Sequence, residues 1–294
     1  MRLVTYNIQY TKGRDGRLDL ARIAETVRAA DIIGMQEVDR YWQRTGSEDQ
    51  AAALAERFPG YAWVYGAGYD APVWPALAAH SSAEERGRRR QHGNMILSRW
   101  PILSSRVLHL PKAKPQEFCQ LRVVLEAVIA APGAPLRVYC THLCHISAAT
   151  RLPQVEQLLV YFGTLPQEGA TWSGEHPADP SWADGDAPPP FPDDIVLMGD
   201  LNFTPATEEY AQLSNGGVGL EDSWRVLGRD PSAPSEYSCK SMDDEETQRI
   251  DHIFVSPDLA HRVKNGWIDQ QALGSDHYPV WIELSSSNAG CQSA

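Results

Sequence analysis

The chain has 294 residues, 43% of them hydrophobic, which is enough to bury the core of one large α/β domain or of two small ones. Its net charge of −12 is a poor match for a protein that binds bulk nucleic acid, although it does not exclude a small anionic substrate held by a metal ion. Five cysteines without a CxxC pair, and no long apolar run, predict free thiols, no transmembrane segment and a cytoplasmic location.

The chain opens with a strand–helix–strand pattern. The apolar positions between Arg2 and Gln9 predict a strand with Asn7 near its end. Residues 20–27 then carry apolar side chains at helical spacing, and residues 32–35 predict a short buried strand that is followed closely by Glu37. The pattern places an amide at one strand end and a carboxylate at the next. Taken alone, each is better explained as a turn or surface residue.

The next segment combines a helix with an arginine-rich loop. Residues 47–58 predict the helix, and residues 70–92 predict a loop with arginine at four of the five positions from 86 to 90. A solvated loop is the simpler interpretation of this run. The alternative is an anion-facing lip beside an active site, because His92 and Asn94 follow directly.

Three further strands are predicted, at residues 102–110, 121–130 and 136–142, with short connections that favour an antiparallel meander. The third strand leads into the sequence Cys140-Thr-His-Leu-Cys144-His, which raises a zinc alternative. Structural zinc sites usually pair two separated ligand clusters, and no second cysteine pair is present. His142, which emerges at a strand end, is the more useful candidate.

A helix at residues 151–162 is followed by a long irregular insertion at residues 166–192, rich in Pro, Gly, Asp, Ser and Trp. Segments of this length are usually functional lids or mobile loops, and both alternatives stay open here. We expect residues 1–285 to form a single domain that includes this insertion, and residues 286–294 to be a frayed tail.

The most informative stretch begins at Ile195. Its apolar run stops at Gly199 and is followed by Asp200 and Asn202, with a proline closing the segment. A carboxylate and an amide at the mouth of a buried strand are unfavourable unless they bind something or do chemistry. The alternative is an Asx turn that caps the helix predicted at residues 206–213.

Similar polar residues occur at the ends of other predicted strands, and eight of them make up the candidate site: Asn7, Glu37, His142, Asp200, Asn202, Asp251, Asp276 and His277. Carboxylate and amide oxygens suit Mg²⁺ or Mn²⁺, with Glu37 as the natural ligand. Asp200 is suited to align or deprotonate a water, and His277 to hydrogen-bond a phosphoryl oxygen while Asp251 orients its imidazole.

The short motifs that hold these residues occur in the order seen in the endonuclease/exonuclease/phosphatase superfamily, which the chain resembles from its first strand to its last. They are Thr5-Tyr6-Asn7-Ile8, Gln36-Glu37-Val38-Asp39, Gly93-Asn94, Thr141-His142-Leu143, Gly199-Asp200-Leu201-Asn202, Arg249-Ile250-Asp251 and Ser275-Asp276-His277. The resemblance implies an α/β (α+β) fold: a four-layered sandwich of two central, mainly antiparallel β-sheets flanked by helices.

The resemblance also implies roles. Glu37, Asn7 and Asp276 look like metal ligands, and Asp200 like the residue that activates water. Asn202 resembles a transition-state hydrogen-bond donor, and Asp251 and His277 the family's Asp–His pair. His142 resembles the histidine that contacts phosphate in some branches, and Asn94 and His92 are candidate substrate-binding residues.

We therefore expect a divalent-metal-dependent phosphoesterase that hydrolyses a small-molecule or lipid-head phosphodiester or phosphomonoester by in-line attack of water. The acidic net charge gives no strong sign of a duplex nucleic acid partner. A nuclease that uses the arginine run as its lip is the alternative, and a catalytically inactive binding module on the same fold is a second. The sequence leaves the oligomeric state open.

Overall fold

Two six-stranded β-sheets form the centre of the computed structural model, which describes residues 1–73, 82–112, 119–241 and 246–285. The predicted tail at residues 286–294 lies outside the described residues. The strands of the first sheet are β1 (Arg2–Asn7), β2 (Ile32–Arg40), β3 (Ala62–Pro72), β4 (Arg89–Ser98), β13 (Val263–Ile268) and β14 (Val280–Leu284). Their order is β13-β14-β1-β2-β4-β3, with β1 and β2 parallel and the other neighbours antiparallel.

The second sheet has the order β5-β6-β7-β8-β12-β9. Its strands are β5 (Ile102–His109), β6 (Val123–Ile129), β7 (Leu136–His142), β8 (Ile195–Asp200), β9 (Glu221–Asp222) and β12 (Asp251–Val255). The predicted antiparallel meander is confirmed, since β5, β6 and β7 pair in sequence. Only β7 and β8 run parallel in this sheet. A separate two-stranded ribbon joins β10 (Cys239–Lys240) to β11 (Thr247–Gln248).

The helices are α1 (Leu20–Val27), α2 (Gln50–Arg57), α3 (Ala83–Gly87), α4 (Ala148–Glu168), α5 (Glu208–Asn215), α6 (Ser223–Val226) and α7 (Pro257–Ala260). Helix α4 is longer than predicted, because a capping box between Ser147 and Thr150 starts it earlier and it continues into the first residues assigned to the insertion. Among the described residues, no helix has the length and apolar character needed to cross a membrane.

The four predicted layers are confirmed by the alternation of side chains along the strands. In β7, Val138 and Cys140 belong to the core between the two sheets, whereas Tyr139 packs under α4 with Leu158 and Phe162. The first sheet alternates in the same way, with its outer face against α1 and α2. Side chains two residues apart therefore share a layer, which decides what meets at the sheet ends.

The loop predicted at residues 70–92 is wrong at both ends. Strand β3 continues to Pro72 and β4 begins at Arg89, with Pro72 opposite Arg89 and Tyr69 opposite His92 in an antiparallel ladder. Arg89 and Arg90 obscured the start of β4 in the sequence, because charged side chains are tolerated where a strand faces solvent. Residues 74–81 of this segment lie outside the described residues.

The insertion lies at the end of the second sheet opposite to Asp200. Parallel strands need a crossover, so the chain leaves β7 at His142, returns through α4 and enters β8 at Ile195. Phe191 anchors the returning segment, with its ring centroid 3.9 Å from the guanidinium carbon of Arg137. Trp172 and Trp182 remain 40% and 78% exposed, so these two tryptophans do not pack down over a site.

The negative charge of the protein is concentrated in one continuous stretch. Residues 152–224, which include most of α4, the insertion and α5, contain 13 acidic residues and no lysine or arginine. The rest of the chain carries 26 basic and 25 acidic residues, so it is almost neutral. Asp200, Glu209 and Asp222 are buried, and the other ten acids of residues 152–224 carry the excess negative charge; we call the part of the surface that they form the α4–α5 flank.

Candidate active site

The candidate residues meet because several of them continue the layer between the sheets. Asn7, His142 and Asp200 each lie two residues beyond a side chain that is buried in that layer. In the strand register, His142 and Asp251 both lie opposite Asp200. A Cβ atom at Gly199 would overlap the carbonyl oxygen of Thr141, so glycine is needed for β7 and β8 to approach here. The polar cluster therefore lies at the end of the hydrophobic core between the two sheets.

Asp200 is at the centre of this cluster and uses its two oxygens differently. Its Oδ2 accepts a hydrogen bond from Asn7 Nδ2 at 2.9 Å and lies 3.3 Å from His142 Nε2 and 3.7 Å from His277 Nε2. Its Oδ1 accepts the backbone N–H of Asn202 at 3.0 Å, which closes an Asx turn. The Asx turn is therefore present, but it does not cap α5, whose N-cap is Thr207.

Asp251 and His277 form a buried pair. His277 Nδ1 lies 2.8 Å from Asp251 Oδ2, and the hydroxyl of Ser238 donates to the same oxygen at 2.8 Å. Although burial lowers the pKa of His277, the carboxylates of Asp251 and Asp200 raise it well above its ordinary value. The imidazole is therefore held as a cation, with Nε2 facing Asp200.

The other titratable groups are shifted in ways that suit acid–base work. Burial raises the pKa of Asp200 to about 7, and the positive charge of His277 opposes that rise. Burial and the charge of Arg122 hold the pKa of His142 well below its ordinary value, so this imidazole is neutral. A carboxylate with a pKa near neutrality beside a neutral and a charged imidazole is the arrangement expected of general acid–base catalysis.

Glu37 lies at the solvent side of the cluster. Its carboxylate accepts Asn7 Nδ2 at 3.2 Å and is 22% exposed, whereas the carboxylate of Asp200 is only 2% exposed. Its backbone φ of 59° lies in the left-handed region, where the register between β2 and β4 shifts. Asn7 turns its amide nitrogen to both carboxylates and accepts the backbone N–H of Gln9 with its oxygen, so here it links the acids.

Asp276 lies beside the same edge. Its Oδ2 accepts Gln9 Nε2 at 2.8 Å, and its Oδ1 accepts the hydroxyl of Ser275 at 3.2 Å. Burial raises its pKa above the ordinary value for aspartate. Gln9 therefore joins Asn7 and Asp276, the two residues predicted as ligands together with Glu37.

The remaining predicted residues have different positions. Asn94 is buried and donates to the backbone carbonyls of Val123 and Cys140, so it ties the two sheets together under the site. His92 lines a small pocket of about 10 Å³ together with Glu37, Asn94, Arg122 and His142. Asn202 donates to the carbonyl of Leu143 at 3.1 Å and has a φ of 53°.

Arg122 was not among the predicted site residues. Its side chain is buried with the residue only 7% exposed, and one guanidinium nitrogen lies 2.9 Å from His142 Nδ1. No carboxylate among the described residues lies within salt-bridge distance of it. A buried cation without an anionic partner is costly, which makes Arg122 a candidate for binding a substrate anion. The signal in the sequence was a lone arginine at the start of an apolar strand.

The cysteines do not form the metal cluster that their spacing suggested. Cys140 Sγ accepts a hydrogen bond from Gln36 Nε2, His142 points into the site, and Cys144 Sγ lies 3.2 Å from Cys119 Sγ. The four cysteines in the described part of the chain are free thiols, as expected.

The oxygen-rich edge fits a hard divalent cation. Asp200, Asp251 and His277 bring polar atoms within 4.8 Å of one another, and the described residues contain no second group of this kind; because His277 is held as a cation, the carboxylates are the available ligands. Glu37 and Asp276 add two more carboxylates. Such an excess of acid favours Mg²⁺ or Mn²⁺ over softer metals.

The sequence profile of the Endonuclease/Exonuclease/phosphatase family matches residues 4–277. The chain belongs to this family. Its members are typically metal-dependent hydrolases of phosphate esters.

Individual relatives agree with this assignment. A stretch of 123 residues is 43% identical to Exodeoxyribonuclease III of Haemophilus influenzae and covers 31% of this chain and 45% of that protein. The match thus spans less than half of the relative's length. An endonuclease/exonuclease/phosphatase structure from Bacteroides vulgatus has a TM-score of 0.65 at 19% identity, over 97% of this chain and 98% of that one. A mannosyl-6-phosphatase from Bacteroides thetaiotaomicron has a TM-score of 0.61 at 18% identity, over 97% and 99%.

Proposed function

We propose that the protein hydrolyses a phosphoester by in-line attack of water, with Asp200 as the base. The observation that carries this proposal is the surroundings of Asp200 Oδ2, which faces one amide and two imidazoles at 2.9 to 3.7 Å. With its pKa raised to about 7, Asp200 is a stronger base than an ordinary aspartate and is still partly ionised at neutral pH, as a general base must be.

The other residues act on the phosphoryl group. His277, charged through Asp251, donates from Nε2 to a phosphoryl oxygen as negative charge develops there. Arg122 donates to a second oxygen, which gives its charge the anionic partner that it lacks in the protein. Neutral His142, with Arg122 at its Nδ1, orients the same group.

The metal would be held by Glu37, with Asp276 as the second carboxylate and Asn7 joining Glu37 to Asp200. A divalent cation supplies charge neutralisation at the phosphoryl oxygens. The chain alone brings four carboxylates to this edge, so a cation also relieves their mutual repulsion.

A small-molecule or lipid-head phosphoester is the substrate class we favour. The cavity beside Glu37 has a volume of only about 10 Å³, room for about one water, so the substrate lies largely over its mouth and in contact with the residues that line it. The second candidate is a nuclease, favoured by the partial match to Exodeoxyribonuclease III. The acidic net charge does not count against it, because that charge lies on the α4–α5 flank.

The test is hydrolysis of chromogenic phosphomonoesters and phosphodiesters with Mg²⁺ or Mn²⁺. We expect activity that EDTA removes and that Asp200→Asn and His277→Gln each lower by at least about 100-fold in kcat. Asp186→Asn, an exposed acid of the insertion, is the matched control and keeps full activity. Circular dichroism verifies the fold of each variant. Wild-type turnover by Asp200→Asn would disprove the assignment of the base, and no turnover of any ester would favour an inactive binding module.

A further inference from the structure

A cluster of two arginines and three aromatic residues lies beside the pocket; we name it the arginine–aromatic rim, and it consists of Tyr10, Trp42, Arg44, Tyr69 and Arg90. The guanidinium carbon of Arg44 lies 4.2 Å from the ring centroid of Tyr10 and 4.5 Å from that of Trp42. That of Arg90 lies 4.8 Å from the centroid of Trp42 and 5.6 Å from that of Tyr69. Each cation is therefore held between two rings.

The charges of the rim are not balanced. Arg44 makes a two-pronged ion pair with the buried Asp39, at 2.7 and 2.9 Å, and His92 Nδ1 contacts the same carboxylate at 2.8 Å. Arg90 donates only to the neutral hydroxyl of Tyr69, at 2.9 Å. Among the described residues, no carboxylate lies within salt-bridge distance of Arg90. Its neighbour Arg89 contrasts with it, because Arg89 pairs with Asp70 at 2.6 Å.

The rim adjoins the pocket through His92. This histidine lines the pocket with Glu37 and Arg122, and its ring centroid lies 6.3 Å from that of Trp42 in an edge-on arrangement. Since the cavity beside Glu37 has room for about one water only, most of a substrate extends outside it. On this side it meets Arg90 and Trp42.

The aromatic contacts of the two arginines indicate which chemical group the arginine–aromatic rim binds. The rings of Tyr10, Trp42 and Tyr69 lie within 5.6 Å of the guanidinium carbons of Arg44 or Arg90, so aromatic groups occupy part of the space around both cations. Arg90 is half-buried, and its guanidinium group has no carboxylate partner among the described residues. The N–H groups along the edge of this planar group are available to a ligand. Such an edge suits the oxygens of a phosphate better than the face of a base.

We propose that Arg90, held in place by Trp42 and Tyr69, is a second anion-binding subsite that takes a further phosphate of the substrate beyond the one that is cut. This inference rests on the proposed function and sharpens it: the preferred substrate carries at least two phosphates, as a nucleotide chain or a polyphosphorylated headgroup does. The arginine run thus contributes one residue, Arg90, to substrate binding.

The experiment compares two 4-nitrophenyl phosphodiesters of thymidine, with and without a phosphate on the other sugar hydroxyl. We expect the wild type to have a KM about 10-fold lower for the substrate with two phosphates. Arg90→Gln removes this difference and leaves kcat and the KM for the substrate with one phosphate unchanged. Arg89→Gln, the matched control, retains the difference. Arg90→Lys, which keeps the charge but loses the planar edge, recovers part of it.

Two results would overturn the subsite: equal KM values for both substrates in the wild type, or identical behaviour of Arg90→Gln and Arg89→Gln. Calorimetry with Asp200→Asn keeps this test separate from catalysis, by comparing thymidine 3′,5′-bisphosphate with thymidine 5′-monophosphate. If no ester is hydrolysed but the bisphosphate still binds more tightly in an Arg90-dependent way, the hydrolase proposal fails and the subsite stands. Competition by a single-stranded oligonucleotide against inositol hexakisphosphate then tells the two sources of the second phosphate apart.

Discussion

Each oxygen of the Asp200 carboxylate has its own partners. Oδ1 closes the turn with the backbone of Asn202, and Oδ2 faces Asn7, His142 and His277. The turn fixes the carboxylate in one orientation, so its second oxygen needs no rearrangement to meet a reacting group. A residue that looks like a structural cap in the sequence can thus be positioned for chemistry by that same cap.

The raised pKa of Asp200 makes a prediction about stability. Burial raises this pKa from 3.8 to about 7, so the folded protein holds the proton more tightly than the unfolded chain. The stabilisation is present below pH 3.8 and is lost as the pH rises through about 7. The raised pKa of His277 acts in the same direction at higher pH. The lowered pKa of His142 acts in the opposite direction up to about pH 6.5, and it is present in both proteins. In EDTA, the Tm of the wild type relative to that of Asp200→Asn should therefore fall between pH 4 and pH 8.

Thermal unfolding in EDTA across this range measures the effect, with Asp186→Asn as the control that keeps the wild-type slope. Mg²⁺ should restore the wild type most at pH 8, where the carboxylates of the edge repel one another. Equal slopes for the wild type and Asp200→Asn would show that burial of this carboxylate does not control the pH dependence.

At the scale of the element, the sequence predicted the strands that carry the site better than the strands at the sheet margins. Asn7, His142 and Asp200 follow short apolar runs, so period-two alternation was enough to bring them into one layer. Strand β13 was not predicted, because Lys264, Asn265 and Gly266 interrupt the alternation of apolar and polar residues. Its pairing with β14 also shifts register. Arg122 was not predicted as a site residue either, because its place in the site depends on its contact with His142 from another strand.

The contact between β7 and β8 leads to a second prediction. Gly199→Ala places a Cβ atom against the carbonyl of Thr141, so we expect a loss of more than about 3 kcal/mol in the free energy of unfolding. Gly163→Ala is the control, because Gly163 lies in α4 and a Cβ atom added there would meet no other atom within 4 Å. There alanine should stabilise by about 0.5–1 kcal/mol. Denaturant unfolding measures both, and a neutral Gly199→Ala would refute the close approach.

At the scale of the whole molecule, topology separates the insertion from the site. The sequence left a lid and a mobile loop equally open, because composition cannot tell which end of a sheet a segment joins. The parallel pairing of β7 and β8 decides it, since the crossover must return to the start of β8. Asp200 is the last residue of the six-residue strand β8, so about 17 Å separates it from that start.

Removal of the insertion tests this arrangement. Replacing residues 171–189 with a Gly-Ser linker retains Gly169, which accepts a hydrogen bond from Arg106, and Phe191 on Arg137. We expect kcat and KM to stay within about 2-fold of the wild type, because only contacts far from the site are lost. Steady-state kinetics measures this. A large loss of kcat with an unchanged Tm would mean that the segment reaches the substrate after all.

The uneven distribution of charge predicts how the protein orients on a charged surface. Its α4–α5 flank carries the excess of acid, whereas Arg44 and Arg90 lie beside the pocket. On a positively charged matrix the protein should therefore attach by that flank and leave its pocket facing the liquid. An enzyme immobilised in this way would remain open to substrate without any engineered tether.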